Sequence, residues 1–360
     1  MSDAMIAEMQ ERSWTLQAQG RIAEACEACA AALALVEESG DAGSPDIANL
    51  LNELAELRLE QGELAAAMVS LRRAKSMATR SKLAWEGEDA ARIRLKTCAL
   101  LGELLRMQGH LIDAEVECRA GLALATAQFG AESAEAAEAR NNLAVLFKSL
   151  GRYREARALY EQALCTIARL EGDASLAAAA VLHNIGGILH VQGDYAAAEP
   201  YARRACEITG TRLGERDPRT LQDRVAHAAI LDGLGRHAES EAIYREVLAL
   251  WREICGEEHH EVATTLHNLA AAIEARGGFA EAEECYRDAL DIQCRLLDTD
   301  ALDIALTLNN LGRLLAEHGA IDEGRAMLAR ATSSLQKQLA PGHPYLVAAR
   351  RNLAAAEAAG

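Results

Sequence analysis

Asparagine keeps returning to one place in this chain. Asn142, Asn184, Asn268 and Asn310, with Asn352 beyond them, stand 42 residues or a multiple of 42 apart. A carboxamide both donates and accepts, so a row of them suits capture of the main chain of an extended peptide, whatever that peptide's sequence. The same groups are equally suited to hydrogen bonding between neighbouring segments of the protein itself. Asn141, His183, His267 and Asn309 directly precede members of the row, and Val145, Lys148, His190 and Arg313 follow on the same side at helical spacing. These twelve residues, Asn352 apart, are the candidate peptide-binding set.

Other reactive residues carry less. Cys26-x-x-Cys29 falls inside a helical pattern rather than at the strand-to-helix turn that a redox pair requires, so both read as structural thiols. His183 and His190 lie seven apart with no third ligand, and His259-His260 sits in a connecting segment, so no metal site is expected. Gly-rich phosphate loops, nucleophile elbows and catalytic carboxylate pairs are missing. The expectation is a protein that is not an enzyme and holds no cofactor.

The elements that must position the row are set by glycine. Gly20, Gly62, Gly109, Gly151, Gly193, Gly235, Gly277 and Gly319 are 42 residues apart, except for 47 between Gly62 and Gly109. Counting each as position 15 places apolar or small residues at 4, 7, 8 and 11, as in Leu182, Ile185, Gly186 and Leu189. After the turn the pattern resumes at 17, 20, 24 and 27, as in Tyr153, Ala156, Tyr160 and Ala163. Each unit is therefore two amphipathic helices around a glycine that ends the first one. Short residues at 8, 20 and 27 allow close helix approach.

This period predicts eight repeats, over residues 6–47, 48–94, 95–136, 137–178, 179–220, 221–262, 263–304 and 305–346, with a capping helix at 347–360. The excess between the second and third turns falls at Ser81 to Ala91, where it lengthens a helix or loop. The sixth repeat is the weakest copy, with His227, Ser240 and Val247 in place of Leu or Ile, Ala and Ala.

The order small residue, glycine, aromatic, Ala, aromatic, Ala resembles the tetratricopeptide repeat. The 42-residue period, the Asn141 to Ala144 opening, Ala198-Glu199-Pro200 and loops such as Gly256 to Ala263 and Gly342 to Ala348 are similar to the longer variety found in kinesin light chains. Trp at position 4 and Pro at position 32, known from the short repeat, do not occur. The resemblance implies an all-α solenoid, a right-handed superhelix, whose concave groove takes a peptide or protein segment.

At 100° per residue, positions 2, 6, 9 and 13 point away from the core face and are expected to line that groove in repeats 3 to 8. Its middle is expected to have a low floor, since positions 9 and 13 of repeats 4 to 7 are Val145, Gly187, Ala229, Ala271, Ser149, Val191, Gly233 and Ala275. A net charge of −17 over 360 residues and the lack of a basic stripe argue against nucleic acid. The nine scattered cysteines suit a reducing compartment, and no stretch has the roughly 18 apolar residues of a membrane span. A cytoplasmic protein that does not enter membranes is expected. Two functions remain in play: a module that binds a protein or peptide in the groove, or a self-assembling scaffold, a homo-oligomer, with no groove ligand. A small-molecule sensor built on His183, His190 and Lys148 is the lesser alternative.

Overall fold

Glycine at position 15 decides the folding unit. In the computed structural model, which describes residues 2–38, 44–80, 86–339 and 341–359, Gly151 has φ 71°. Its N–H donates to the Lys148 carbonyl at 3.0 Å, and that of Arg152 reaches back to Phe147 at 2.8 Å. This is a left-handed helix stop that a side chain would strain. The helix it ends begins on Ser133, whose hydroxyl accepts the Ala136 N–H at 3.1 Å. Pro218, preceded by the cap Asp217, opens another first helix in the same way.

The described residues form seventeen helices and no strand. They are α1 (Ser2–Ala18), α2 (Ile22–Glu38), α3 (Pro45–Glu60), α4 (Leu64–Arg80), α5 (Glu88–Met107) and α6 (Leu111–Phe129). There follow α7 (Ala134–Ser149), α8 (Tyr153–Glu171), α9 (Leu176–Val191), α10 (Tyr195–Leu213), α11 (Pro218–Gly233) and α12 (His237–Cys255). The last are α13 (His260–Ala275), α14 (Phe279–Leu296), α15 (Leu302–Glu317), α16 (Ile321–Gln338) and α17 (Pro344–Ala359). Odd-numbered helices precede the glycine turns and even-numbered ones follow, and α17 is a first helix without a partner after it. Ser81 to Trp85 of the predicted insertion lie outside the described residues. Beyond them, α5 runs for 20 residues where α7, α9, α11, α13 and α15 run for 16.

The chain divides into two compact units, Met1–Asn184 and Ile185–Gly360. Within each, a helix packs on its chain neighbours, and alternate contacts join odd helices: α3 with α5 and α5 with α7 in the first unit, α11 with α13 and α15 with α17 in the second. First helices thus form one wall of each unit and second helices the other. Core positions are filled by short side chains around a tyrosine. Ala144, Ala156, Ala163 and Tyr160 have no exposed surface, nor do Ala270, Ala282, Ala289 and Tyr286. The backbones of α15 and α16 approach closely, and a Cβ on Gly324 would stand 2.5 Å from the Gly312 carbonyl oxygen. Burial therefore passes from hairpin to hairpin, as in a solenoid.

Candidate functional site

The asparagine row sits on the odd helices and is half-buried in both units. In the first unit Asn141 Nδ2 donates to Asn142 Oδ1 at 3.4 Å, and Asn184 Nδ2 donates to Asn141 Oδ1 at 3.3 Å. In the second, Asn309 Nδ2 donates to Asn310 Oδ1 at 3.1 Å and Asn352 Nδ2 to Asn309 Oδ1 at 3.0 Å. Asn184 and Asn352 therefore reach the residue one place earlier in the preceding repeat. Where that residue is His267, Asn310 Nδ2 donates to its Nε2 at 3.4 Å, and His267 Nδ1 then donates to Thr307 Oγ1 at 2.8 Å. Burial lowers the His267 pKa to about 4, so the ring is neutral at pH 7, and it meets the Tyr286 ring edge-on at 5.5 Å.

Two asparagines have no such partner below them. The residue that would accept from Asn142 is Ala99, and the one that would accept from Asn268 is Val225. Among the described residues, no hydrogen bond uses Asn142 Nδ2 or the Asn268 carboxamide. Asn142 opens onto a cavity of about 700 Å³ in the first unit, walled by α5 and α7 and reached by Glu56, Lys96, Arg106 and Val145. The row thus separates into ladder members, Asn184 and Asn310, and ladder ends, Asn142 and Asn268. Alignment of position 6 alone does not reveal this; the residue type at position 5 of the preceding repeat does.

The remaining candidates occupy varied settings. Val145, Ala229 and Ala271 are half-buried, and Ser149, Val191, Gly233 and Ala275 are exposed. Gly233 is small for a reason internal to the second unit, because a Cβ there would come within 2.4 Å of the Tyr195 ring. That ring also meets His190 at 5.4 Å. At this point the expected low floor is covered by a tyrosine. Arg313 holds Glu274 at 2.6 Å and Glu317 at 2.9 Å, and Glu274 also accepts from the Tyr286 hydroxyl at 3.3 Å. Lys148 is half-buried, and burial, aided by Arg106, lowers its pKa. His183 lies half-buried beside Asn184 in α9.

The residues set aside on sequence grounds have structural partners. Cys29 is buried, its thiol donates to the Leu50 carbonyl at 3.6 Å, and burial raises its pKa to about 12. His259 caps α13 through Nδ1 and stacks on Trp251 at 6.4 Å. In the sixth repeat, Ser240 donates to Asp232 Oδ1 at 3.2 Å, and His227 stands 3.6 Å from Glu199. No group of His, Cys, Asp and Glu among the described residues could hold a metal ion, and none of their helices is long and apolar enough to cross a membrane.

Comparison with known proteins agrees with the repeat geometry. A tetratricopeptide repeat family model matches residues 7–80, 95–164 and 219–295, and a second one of the same description matches 178–219. The fold is similar to that of BtubC (BKLC) from P. vanneervenii, with TM-score 0.53 and 21% identity, over 66% of this chain and 91% of that one. A putative kinesin light chain of Podosopora anserina with nearly identical TPR-like repeats aligns with TM-score 0.51 and 20% identity, over 59% of this chain and 99% of its own. A Rap protein complexed with competence and sporulation factor aligns with TM-score 0.60 and 14% identity, over 87% and 90% of the two chains. A search of curated protein sequences gives no match. The turn glycines, the alanine and tyrosine core positions and the family match over more than half of the sequence place this chain in the tetratricopeptide repeat family.

Proposed function

We propose that this chain is a protein–protein interaction module that takes an extended segment of a partner along the wall of odd-numbered helices. The observation that carries this reading is Asn142: a half-buried carboxamide whose Nδ2 has no acceptor within the protein and which opens onto a cavity large enough for several peptide residues. A main-chain carbonyl supplies the missing acceptor without regard to sequence. Asn268 offers the same group on the second unit's own wall. Ladder members such as Asn184 and Asn310 hold neighbouring repeats in register instead. The Rap protein of similar fold is complexed with competence and sporulation factor, which makes ligand capture by a fold of this kind a natural comparison.

Selection of a peptide-display library on the immobilised protein tests the reading. Binders are expected to emerge and to lose affinity about tenfold on Asn142→Ala, the worth of one well-placed hydrogen bond in a desolvated site. Binders indifferent to both Asn142→Ala and Asn268→Ala would refute it.

One observation favours self-association as a second reading. Val69 on α4 is 69% exposed, and Ile112 and Val116, one turn apart on α6, are 81% and 60% exposed, so second helices of the first unit present apolar side chains to solvent. Light scattering over a range of concentrations separates the readings, since a scaffold using these side chains forms dimers that Val116→Glu abolishes.

A further inference from the structure

The cavity of the first unit has a cause in the sequence, because core positions of the third repeat carry shorter residues than most of their counterparts. Cys98 stands at position 4, where the second, fifth, seventh and eighth repeats have Leu51, Leu182, Leu266 and Leu308. Cys118 stands at position 24, where the fourth, sixth and seventh have the buried Tyr160, Tyr244 and Tyr286. Gly121 replaces the usual alanine at position 27, and position 8 is Gly102. A core with thiols in place of leucine and tyrosine leaves space, and Cys98, Gly102, Cys118 and Gly121 all line the cavity of about 700 Å³.

The two thiols belong to the two helices of one hairpin, α5 and α6, and a glycine of the opposite helix faces each of them. A Cβ on Gly102 would stand 2.6 Å from Cys118 Sγ, and one on Gly121 would stand 3.4 Å from Cys98 Cβ. Cys98 precedes Gly102 by one helical turn and Cys118 precedes Gly121 by another, a spacing of about 5–6 Å between side-chain positions. The thiols are thus diagonal corners of a four-residue square whose other corners are glycine. Burial, then the neighbouring Cys98 and Glu117, pushes the Cys118 thiol up to about 11, and burial with Glu117 does the same to Cys98. Both are uncharged thiols at pH 7 rather than reactive thiolates. Glu117 is itself buried and paired with Lys75, and Leu95, Leu100 and Leu146 give the same cavity an apolar wall.

We propose that Cys98 and Cys118 form a dithiol site for a trivalent organoarsenical, whose arsenic bonds both sulfurs while its organic group occupies the cavity. With an arsenoxide, R–As=O, both S–H bonds break, two As–S bonds form, and the two protons leave with the oxide oxygen as water; arsenic stays trivalent. The product is uncharged, which suits a site beside the buried Glu117, whereas a cuprous bis-thiolate would bring a second negative charge there. Among the described residues no group of three metal-ligating side chains exists, so the pair does not suit tetrahedral zinc. The proposal is independent of the peptide-binding reading above. The plain competitor is that both cysteines are small core hydrophobes and nothing more, as Cys29 is.

Phenylarsine oxide is the probe. The intact reduced protein is expected to bind one equivalent that 2-mercaptoethanol does not remove and that 2,3-dimercaptopropanol does. Digestion of the wild-type adduct, read by mass spectrometry, is expected to give the Cys98 and Cys118 peptides joined through one arsenic. Cys98→Ser and Cys118→Ser are each expected to weaken binding about a hundredfold, since either leaves one As–S bond without a second sulfur held at high effective concentration. Gly102→Ala puts a methyl against Cys118 Sγ and is expected to weaken binding as well. Cys26→Ser, which breaks up the closely spaced pair on α2, is expected to leave it unchanged. Arsenic bridging Cys26 and Cys29, or held on single cysteines from which 2-mercaptoethanol frees it, overturns the proposal. So does binding that is as tight in the Cys98→Ser and Cys118→Ser proteins as in the wild type.

Discussion

A single residue type, asparagine at position 6, stands in two settings here, and its neighbour one repeat back decides which. Asn184 and Asn310 donate across a repeat boundary, so Asn184→Ala and Asn310→Ala are each expected to cost about 1 kcal/mol in denaturant unfolding. Asn268→Ala removes no such bond and is expected to leave the unfolding midpoint nearly unchanged. His267 supplies a pH dependence of defined sign. Its folded pKa is about 4 against an ordinary 6.5, so between those values the unfolded chain binds more protons. Its contribution to stability is complete above pH 6.5 and is lost as pH falls toward 4. His227, also lowered by burial, acts in the same direction. Melting at pH 7 and pH 5 should show a drop for the wild type that is smaller in His267→Gln.

At the scale of the helix, the sequence was legible wherever one residue type has one physical use. Glycine at position 15 can only be a left-handed stop, and all eight have positive φ. Alanine or glycine at positions 8 and 20 can only mean close approach, which Gly312 and Gly324 show between α15 and α16. Gly324→Ala is accordingly expected to destabilise by about 1–3 kcal/mol, read from the denaturant midpoint, because backbone stands where its methyl would go. Residues with several uses were less legible. The small Gly233 signals a ligand floor as readily as it signals the Tyr195 ring that covers it, and only three-dimensional placement separates the two. The asparagine row was visible in the spacing, but its division into ladder members and ends follows from contacts between repeats. The contact of Glu274 with the Tyr286 hydroxyl joins positions 12 and 24, which the helical period does not pair.

In both units the near-copies of one hairpin repeat the same small and aromatic core positions and differ mainly on the first-helix walls. On our proposal specificity lies in the differences between copies on these walls, where the first unit has a cavity beside the unspent Asn142 and the second unit has the unspent Asn268. The central claim is that the unspent asparagine carboxamide of the first unit's wall meets the partner's main chain. Its most direct test is nuclear magnetic resonance of protein carrying nitrogen-15 only in asparagine, titrated with a display-selected peptide. The account predicts that the Asn142 side-chain amide resonances, assigned by Asn142→Ala, shift on binding while those of the ladder member Asn310 stay in place. A saturating peptide that leaves the side-chain amides of both Asn142 and Asn268 unmoved would contradict it.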